Sequence, residues 1–355
     1  MPDGGAGPGP LDEAEPGLSS DCAVLAFAGP GVPLVVEESA GMGFGCGSAT
    51  SDGSGMVALG SVSTNGSTGR LMASTWRLLS PDGSPAGFAR GDAPAALLHG
   101  FALLDQWENV SAGRALRFSF TEGPNPVQNL SVAVAGDPQG GAIAIEEPFN
   151  VEQYWLTAHR FDGAGRQIAP PADVIEGPLA EHPRSFAVGM ARDGWSLAVF
   201  TGEPQSDGAM LYARWIDPQG TPSGPVLPTG VPAGTTLLLR QLADRSIAVR
   251  VDGKWVARVR RSGAERAPAW LAAQDGRDVI LLERGYAVPF TYAADHSGCT
   301  PAVEIRAPAG NLCGRYALAE PFQRADVGAD GTLILAYGGS TFWSCRRRWW
   351  SALFR

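Results

Sequence analysis

An all-β fold is what the sequence predicts, and three observations predict it. Gly (47) and Pro (28) make up over a fifth of the 355 residues, so turns are frequent and long helices are disfavoured. Short apolar runs repeatedly follow Asp-bearing turns: "SDGSGMVALG" at 51, "GDPQGGAIAIE" at 136, "RDGWSLAVF" at 192, "ADRSIAVRV" at 243, "QDGRDVILLE" at 274 and "ADGTLILAY" at 329. Each sets Asp, and usually Gly, where a tight turn needs φ > 0, and then residues that suit a strand. Finally, a strand of mixed aromatic and basic residues ending in a glycine turn recurs, with the glycines at 83, 123, 165, 220, 263 and 310. The intervals are 40, 42, 55, 43 and 47 residues, and such a period in an all-β chain is the mark of four-stranded β-propeller blades.

Along the chain, residues 1–20 hold few apolar side chains and carry Asp3, Asp12, Glu13 and Glu15. Too little surface can be buried there to offset ordering entropy, so a disordered, acidic, Gly/Pro-rich tether is expected. Residues 21–355 are expected to form a single propeller domain. The start shows neither a basic n-region nor an apolar h-region. An acidic tether ahead of a cysteine-bearing β domain suits a chain whose export signal has been cleaved, which gives an extracellular or cell-envelope expectation. Six glycine-ended units and a final unit, "ADGTLILAY" through "TFWSCRRRWWSALF", give about seven four-stranded blades. The final unit lacks an outer strand. An open edge invites aggregation, and the segment "CAVLAFAGPGVPLVVEE" at 22–38 is expected to supply it. The alternative is two β-sandwich domains split near 180, but sandwiches do not demand a regular period.

At "HRFDGAG" and "RWIDPQG" the chain resembles bacterial secreted β-propeller repeat proteins, whose blades often carry an apolar residue, then Asp, two residues and Gly at a strand-ending turn. Asp162 and Asp217 match that pattern, whereas Ser80, Arg260 and Ala307 stand where Asp is expected. The Trp-Asp dipeptide of WD repeats and the Asp box of sialidases are both missing. The resemblance implies a fold and not an activity.

Composition narrows the chemistry. A net charge of −9 argues against nucleic acid, whose phosphates call for a basic face. No apolar run approaches the roughly 18 residues of a membrane helix, so no transmembrane segment is expected. Lys254 is the only lysine, and its surroundings do not fit a P-loop, since Ala248 and Trp255 occupy the Gly and Ser/Thr positions. No nucleophile elbow, zinc-protease motif or calcium loop occurs. The four histidines, His99, His159, His182 and His296, lie in different units, so neither a metal nor a cofactor is expected. Of the five cysteines, Cys22 with Cys46 and Cys299 with Cys313 have the spacing of two local disulfides, leaving Cys345 over.

Three clusters are candidates for chemistry or binding. "LLDQWENVS" sets Asp105 and Glu108 beside Trp107, an acid pair with a stacking platform such as glycan hydrolysis uses. "YAADHSGCT" sets His296 next to Asp295, where a carboxylate could orient a base. In "FWSCRRRWWSALFR" a strand would align Arg346, Arg348 and Trp350 on one face, as a ribbon for an anionic ligand or glycan. The leading expectation is a noncatalytic, exported, monomeric propeller that binds a protein or glycan partner through loops on one face. The alternative is a carbohydrate-active enzyme, a glycoside hydrolase or lyase, on the same scaffold.

Overall fold

The computed structural model describes residues 32–36, 48–52, 54–64, 71–82, 84–90, 95–97, 100–103, 116–117, 131–136, 141–147, 149–150, 153–163, 166–175, 185–201, 210–282, 285–294, 298–317, 324–327, 332–338 and 343–349. Strand β1 (Val32–Val36) comes first. An antiparallel sheet follows, of β2 (Ser48–Ser51), β3 (Val57–Thr64), β4 (Leu71–Leu79) and β5 (Pro85–Arg90). Strands β6 (Ala95–Leu97), β7 (Gly100–Leu103) and β8 (Leu116–Arg117) form a three-stranded sheet whose β7–β8 pair is parallel. The next sheet has β9 (Ser131–Gly136), β10 (Ala142–Glu147), β13 (Thr157–Phe161) and β14 (Ala172–Asp173), interrupted by a small hairpin of β11 (Phe149–Asn150) and β12 (Gln153–Tyr154).

Strands β15 (Phe186–Met190), β16 (Ser196–Thr201), β17 (Met210–Ile216) and β18 (Pro222–Pro232) make another sheet. So do β19 (Leu237–Gln241), β20 (Ile247–Val251), β21 (Lys254–Arg260) and β22 (Gly263–Arg266). A single turn of helix, α1 (Ala269–Ala272), leads to the sheet of β23 (Ile280–Leu282), β24 (Gly285–Ala294), β25 (Gly298–Arg306) and β26 (Leu312–Ala317). Last come β27 (Arg324–Val327), β28 (Thr332–Gly338) and β29 (Trp343–Trp349).

Five sheets are therefore antiparallel meanders of four strands in chain order, which is the topology of a propeller blade rather than of a Greek-key sandwich. A sixth four-stranded sheet has the order β1-β29-β28-β27, so the N-terminal strand supplies the outer edge that the C-terminal unit lacks. Val32 pairs with Arg347, Leu34 with Cys345 and Val36 with Trp343. The expected seven four-stranded blades are thus corrected. Among the described residues the unit between β5 and β9 is three-stranded, because β8 runs parallel to β7 and cannot continue a meander.

The chain divides into two compact units. One holds the sheets of β2–β5, β23–β26 and β27–β29 with β1; the other holds the sheets from β6 to β22. In the second unit β16 is buried along its whole length. Leu197 and Val199 enter one apolar cluster with Leu239, Val249 and Trp215, while Ala198 and Phe200 enter another with Ile143, Ile145 and Val188. A strand packed on both faces reads as a continuous apolar run, not an alternation, and each fully buried Leu, Val or Phe contributes roughly 1.5–3 kcal/mol. Neighbouring sheets of this unit are also latched by polar groups. Trp215 Nε1 donates to the Arg260 carbonyl at 3.0 Å, and Arg160 Nε to the Pro218 carbonyl at 3.2 Å. Arg261 pairs with Asp193 at 3.0 Å and stacks over Trp195.

The recurring turn of the sequence has one geometry. Its first residue donates N–H to the carbonyl of its fifth in 52–56, 80–84, 162–166, 191–195, 217–221, 242–246 and 307–311. The fourth residue is left-handed at Gly55, Gly194, Gly220, Gly310 and Arg245. A carboxylate caps the loop from either of two places. Asp52, Asp162 and Asp217 stand first and accept the N–H of the fifth residue. Asp82, Asp193 and Asp244 stand third and accept the same N–H. This accounts for the departures in the motif: Asp82 does for the Ser80 turn what Asp217 does for its own, and at Ala307 the Arg306 side chain holds the Gly310 carbonyl instead. The expectation that Gly165, Gly220 and Gly263 occupy equivalent turns is corrected in part. Gly165 lies outside the described residues, and Gly263 closes a two-residue hairpin in which Arg260 pairs with Gly263.

Two substitutions test this geometry. Arg245 holds φ 64, which costs a residue with a Cβ roughly 1–2 kcal/mol. Arg245→Gly, after the entropy that glycine adds to the unfolded chain, is expected to gain up to about 1 kcal/mol in chemical denaturation. Gly220 holds φ 91, and a Cβ there would stand 2.7 Å from Arg160 Cβ. Gly220→Ala is expected to lose about 2 kcal/mol.

Candidate functional site

In a four-stranded meander the first and third turns lie at one end of the sheet, and the second turn and the exit lie at the other. Turns at the first end span two to five residues, such as 52–56, 217–221 and 261–262, except at 162–171, where the five-residue turn 162–166 is followed by five more residues before β14. Apart from 162–171, between β13 and β14, the connections of eight residues or more within or between these meanders depart from the second end. These include 104–115, which leaves β7, and 118–130, 148–156, 174–185, 202–209 and 267–279. Capped tight turns brace a scaffold, whereas long connections are where binding groups are carried. The second end of each sheet is therefore the candidate functional surface.

Two hairpins project there, β3–β4 beyond β2 and β24–β25 beyond β23. Strands β24 and β25 share nine cross-strand pairs, from Tyr286–Arg306 to Ala294–Gly298, but β23 covers only Gly285, Tyr286 and Ala287. The hairpin thus runs on past its inner neighbour. At its foot, Val288–Glu304 is the first pair beyond β23, and Glu304 is only 3% exposed. Three arginines from separate stretches of chain gather on it. Arg306 donates to Oε2 from Nε (3.1 Å) and Nη2 (2.6 Å), while Arg315 Nε (3.1 Å) and Arg277 Nη1 (3.3 Å) donate to Oε1. Burial opposes ionisation of Glu304, but the Arg306 and Arg315 hydrogen bonds and charges outweigh it and hold the carboxyl below its ordinary range. Arg277 and Arg315 remain 34% and 39% exposed.

The other displaced carboxylates are also held ionised. Asp244 is partly buried, which opposes ionisation, yet hydrogen bonds from Ser246 and Arg260 and the charge of Arg258 lower its pKa. Arg258 and Arg260 both also reach Glu265, closing a four-membered network. Asp252, in the Asp-Gly turn between β20 and β21, is lowered by the Thr236 N–H and the Thr235 hydroxyl and ties residues 235–236 to that turn. Sequence reasoning missed one further pair: His159 Nε2 lies 2.9 Å from Glu146 Oε2, both largely buried. The register explains it. His159 faces Ala144 and Thr157 faces Glu146, so the two side chains are diagonal neighbours on one face. Among the described residues no group of three or more His, Cys, Asp or Glu could hold a metal ion.

The sequence candidates fare unevenly. Asp105, Trp107, Glu108, His296 and Trp350 lie outside the described residues, although 104–115 and 295–297 both leave their sheets at the second end. Arg346 and Arg348 stand on β29, paired with Leu335 and Leu333 of β28. Cys22 and Cys46 also lie outside the described residues. The Cys299–Cys313 pairing is corrected by register. Cys299 opens β25 beside Ala293, whereas Cys313 falls at the bulge beside Ile305 and Arg306. About six residues of strand, on the order of 20 Å at 3.3 Å each, separate them, against the roughly 4.4–6.8 Å a disulfide requires.

No protein-family model matches the chain, and no curated protein does. Among solved structures, the chain is similar to a protein assigned as a gluconolactonase, at 14% identity and a TM-score of 0.38 over 91% of this chain and 97% of that one. An endo-arabinase from Bacteroides thetaiotaomicron VPI-5482 aligns at 10% identity and a TM-score of 0.29 over 91% and 98%. A eukaryotic initiation factor aligns at 12% and 0.29 over 87% and 73%. At these levels the propeller reading rests on the strand order and repeated turns of this chain. Among the described residues no helix is long and apolar enough to cross a membrane.

Proposed function

We propose that the chain is a noncatalytic binding protein, monomeric and exported to the cell exterior or envelope, that holds a protein or glycan partner at the long-connection end of its sheets. The observation that carries this is the division of the connections: mostly tight turns at one end, six of them capped by an Asp, and most of the long connections, of varied length, at the other. Among the described residues the carboxylates of Asp82, Asp244, Asp252 and Glu304 are all lowered. Such groups brace turns and strands, whereas a general acid needs its pKa raised.

A glycan array together with a pull-down from an envelope extract tests the reading. The expected result is a saturable, selective complex with the bound glycan or protein recovered intact. Release of shortened or unsaturated sugar would instead establish the carbohydrate-active alternative, and loss of that activity in Glu108→Gln would then assign it to the 104–115 connection.

A further inference from the structure

We infer that the turn between β19 and β20, where Arg245 stands in a left-handed conformation, is a docking point for a protein partner that presents an acidic side chain. The turn lies at the first end of its sheet, so this surface is separate from the long-connection end proposed above. In the seven turns of shared geometry the fourth position is Gly55, Gly83, Gly165, Gly194, Gly220 or Gly310, and Arg245 alone departs. Its φ of 64 strains any residue with a Cβ. The backbone there needs nothing that glycine would not supply, since the Arg245 N–H donates to the Leu242 carbonyl just as Gly194 and Gly220 donate to Ala191 and Asp217. A residue held in strain where glycine fits better points to a role for its side chain.

That role is not within the fold. Among the described residues the exposed Arg245 side chain has no hydrogen bond and no ion pair. Its neighbours, by contrast, are engaged. Arg258 and Arg260 share Asp244 and Glu265, while Arg261 holds Asp193 and stacks over the half-buried Trp195. Arg260 and Arg261 thus join the 242–246 turn to the 191–195 turn of the preceding sheet. Of this set of four arginines and three carboxylates, Arg245 is the cation left over. Arginine and tryptophan are the side chains in which interface hot spots are richest, and a guanidinium forks onto a carboxylate with two parallel bonds. The three resident carboxylates and the net charge of −9 repel an extended polyanion. A single excess cation matches a single Asp or Glu on a protein surface.

The test selects a random peptide library on the full chain and measures the enriched peptides by fluorescence anisotropy against wild type and variants. The expected peptides carry Asp or Glu, bind wild type saturably and bind Arg245→Gly about tenfold or more less tightly. Arg166→Gln, which removes an exposed arginine in a different turn, should bind them as wild type does. Arg245→Lys keeps the charge and the left-handed backbone without the fork, and is expected to lose a smaller factor. Exchanging the acid of a peptide for Asn or Gln should weaken it on wild type and change nothing on Arg245→Gly. Because Arg245→Gly relieves strain, its urea midpoint should rise, which separates lost binding from a damaged fold. A lower midpoint would show that the side chain serves the fold, and would overturn the inference. So would a selection that enriches no peptide, peptides without an acid, or equal binding to wild type and Arg245→Gly. Heparin is titrated alongside, and a loss of heparin binding in Arg245→Gly with peptide binding unchanged would replace the protein partner by an anionic glycan.

Discussion

Removing residues 1–38 is expected to abolish cooperative unfolding of the C-terminal sheet and to drive aggregation, whereas removing residues 1–20 should leave the denaturation midpoint unchanged. The longer deletion takes β1, which pairs residue by residue with Trp343–Arg347 of β29. Its loss would expose an unpaired row of backbone donors and acceptors, a ready template for another chain. At about 0.5–1.5 kcal/mol per hydrogen bond, a five-residue strand contributes several kcal/mol, a large part of the ~5–15 kcal/mol by which domains are stable. Light scattering and urea denaturation of the two truncations decide the matter. Identical midpoints in both would show that β29 does not depend on β1.

Glu304→Ala should be among the most damaging single substitutions, losing about 3–5 kcal/mol. It would strip the shared acceptor from Arg277, Arg306 and Arg315 and leave Arg306, 12% exposed, facing two like charges. Removing one partner of a buried ion pair costs this much because the remaining charge stays desolvated. The pH dependence has a definite sign. With its pKa lowered in the fold, Glu304 binds its proton more readily when unfolded, so its contribution is full above the unfolded carboxyl value near 4.3. It is lost as pH falls through the lower folded value. Urea midpoints of wild type and Glu304→Gln should therefore converge in acid and stand furthest apart at neutral pH. A constant gap across that window would refute the ionic account.

The sheets were legible in the sequence because a turn that needs a left-handed fourth residue and a carboxylate cap leaves a local mark, as at Asp52 to Gly55 and Asp217 to Gly220. Arg245 and Ala307 show the limit of that mark: the same turn forms without the expected glycine in one and without the expected acid in the other. Gly263 misled for the opposite reason, since a two-residue hairpin also favours glycine. The Glu304 cluster left no local trace. Its arginines come from before β23, from β25 and from β26, and only strand register brings 304 opposite 315. His159 and Glu146 meet across strands in the same way. Pairing of Cys299 with Cys313 looked natural from chain separation, and register set them apart because Cys299 opens β25 whereas Cys313, on β26, lies beside its other end.

The pairing of Leu34 with Cys345 joins residues 311 positions apart, from the first strand to the last. During synthesis at roughly 5–20 residues per second, β1 is made on the order of 15–60 s before its partner exists. Throughout that interval its apolar sequence "VPLVV" must stay neither paired with the wrong edge nor aggregated. Five complete meanders can form meanwhile from neighbouring strands, but the sixth sheet awaits β29. A contact of such separation is slow to close. The order of manufacture thus runs opposite to the order of completion, and β1, made before every other described strand, is one of the last to find its place.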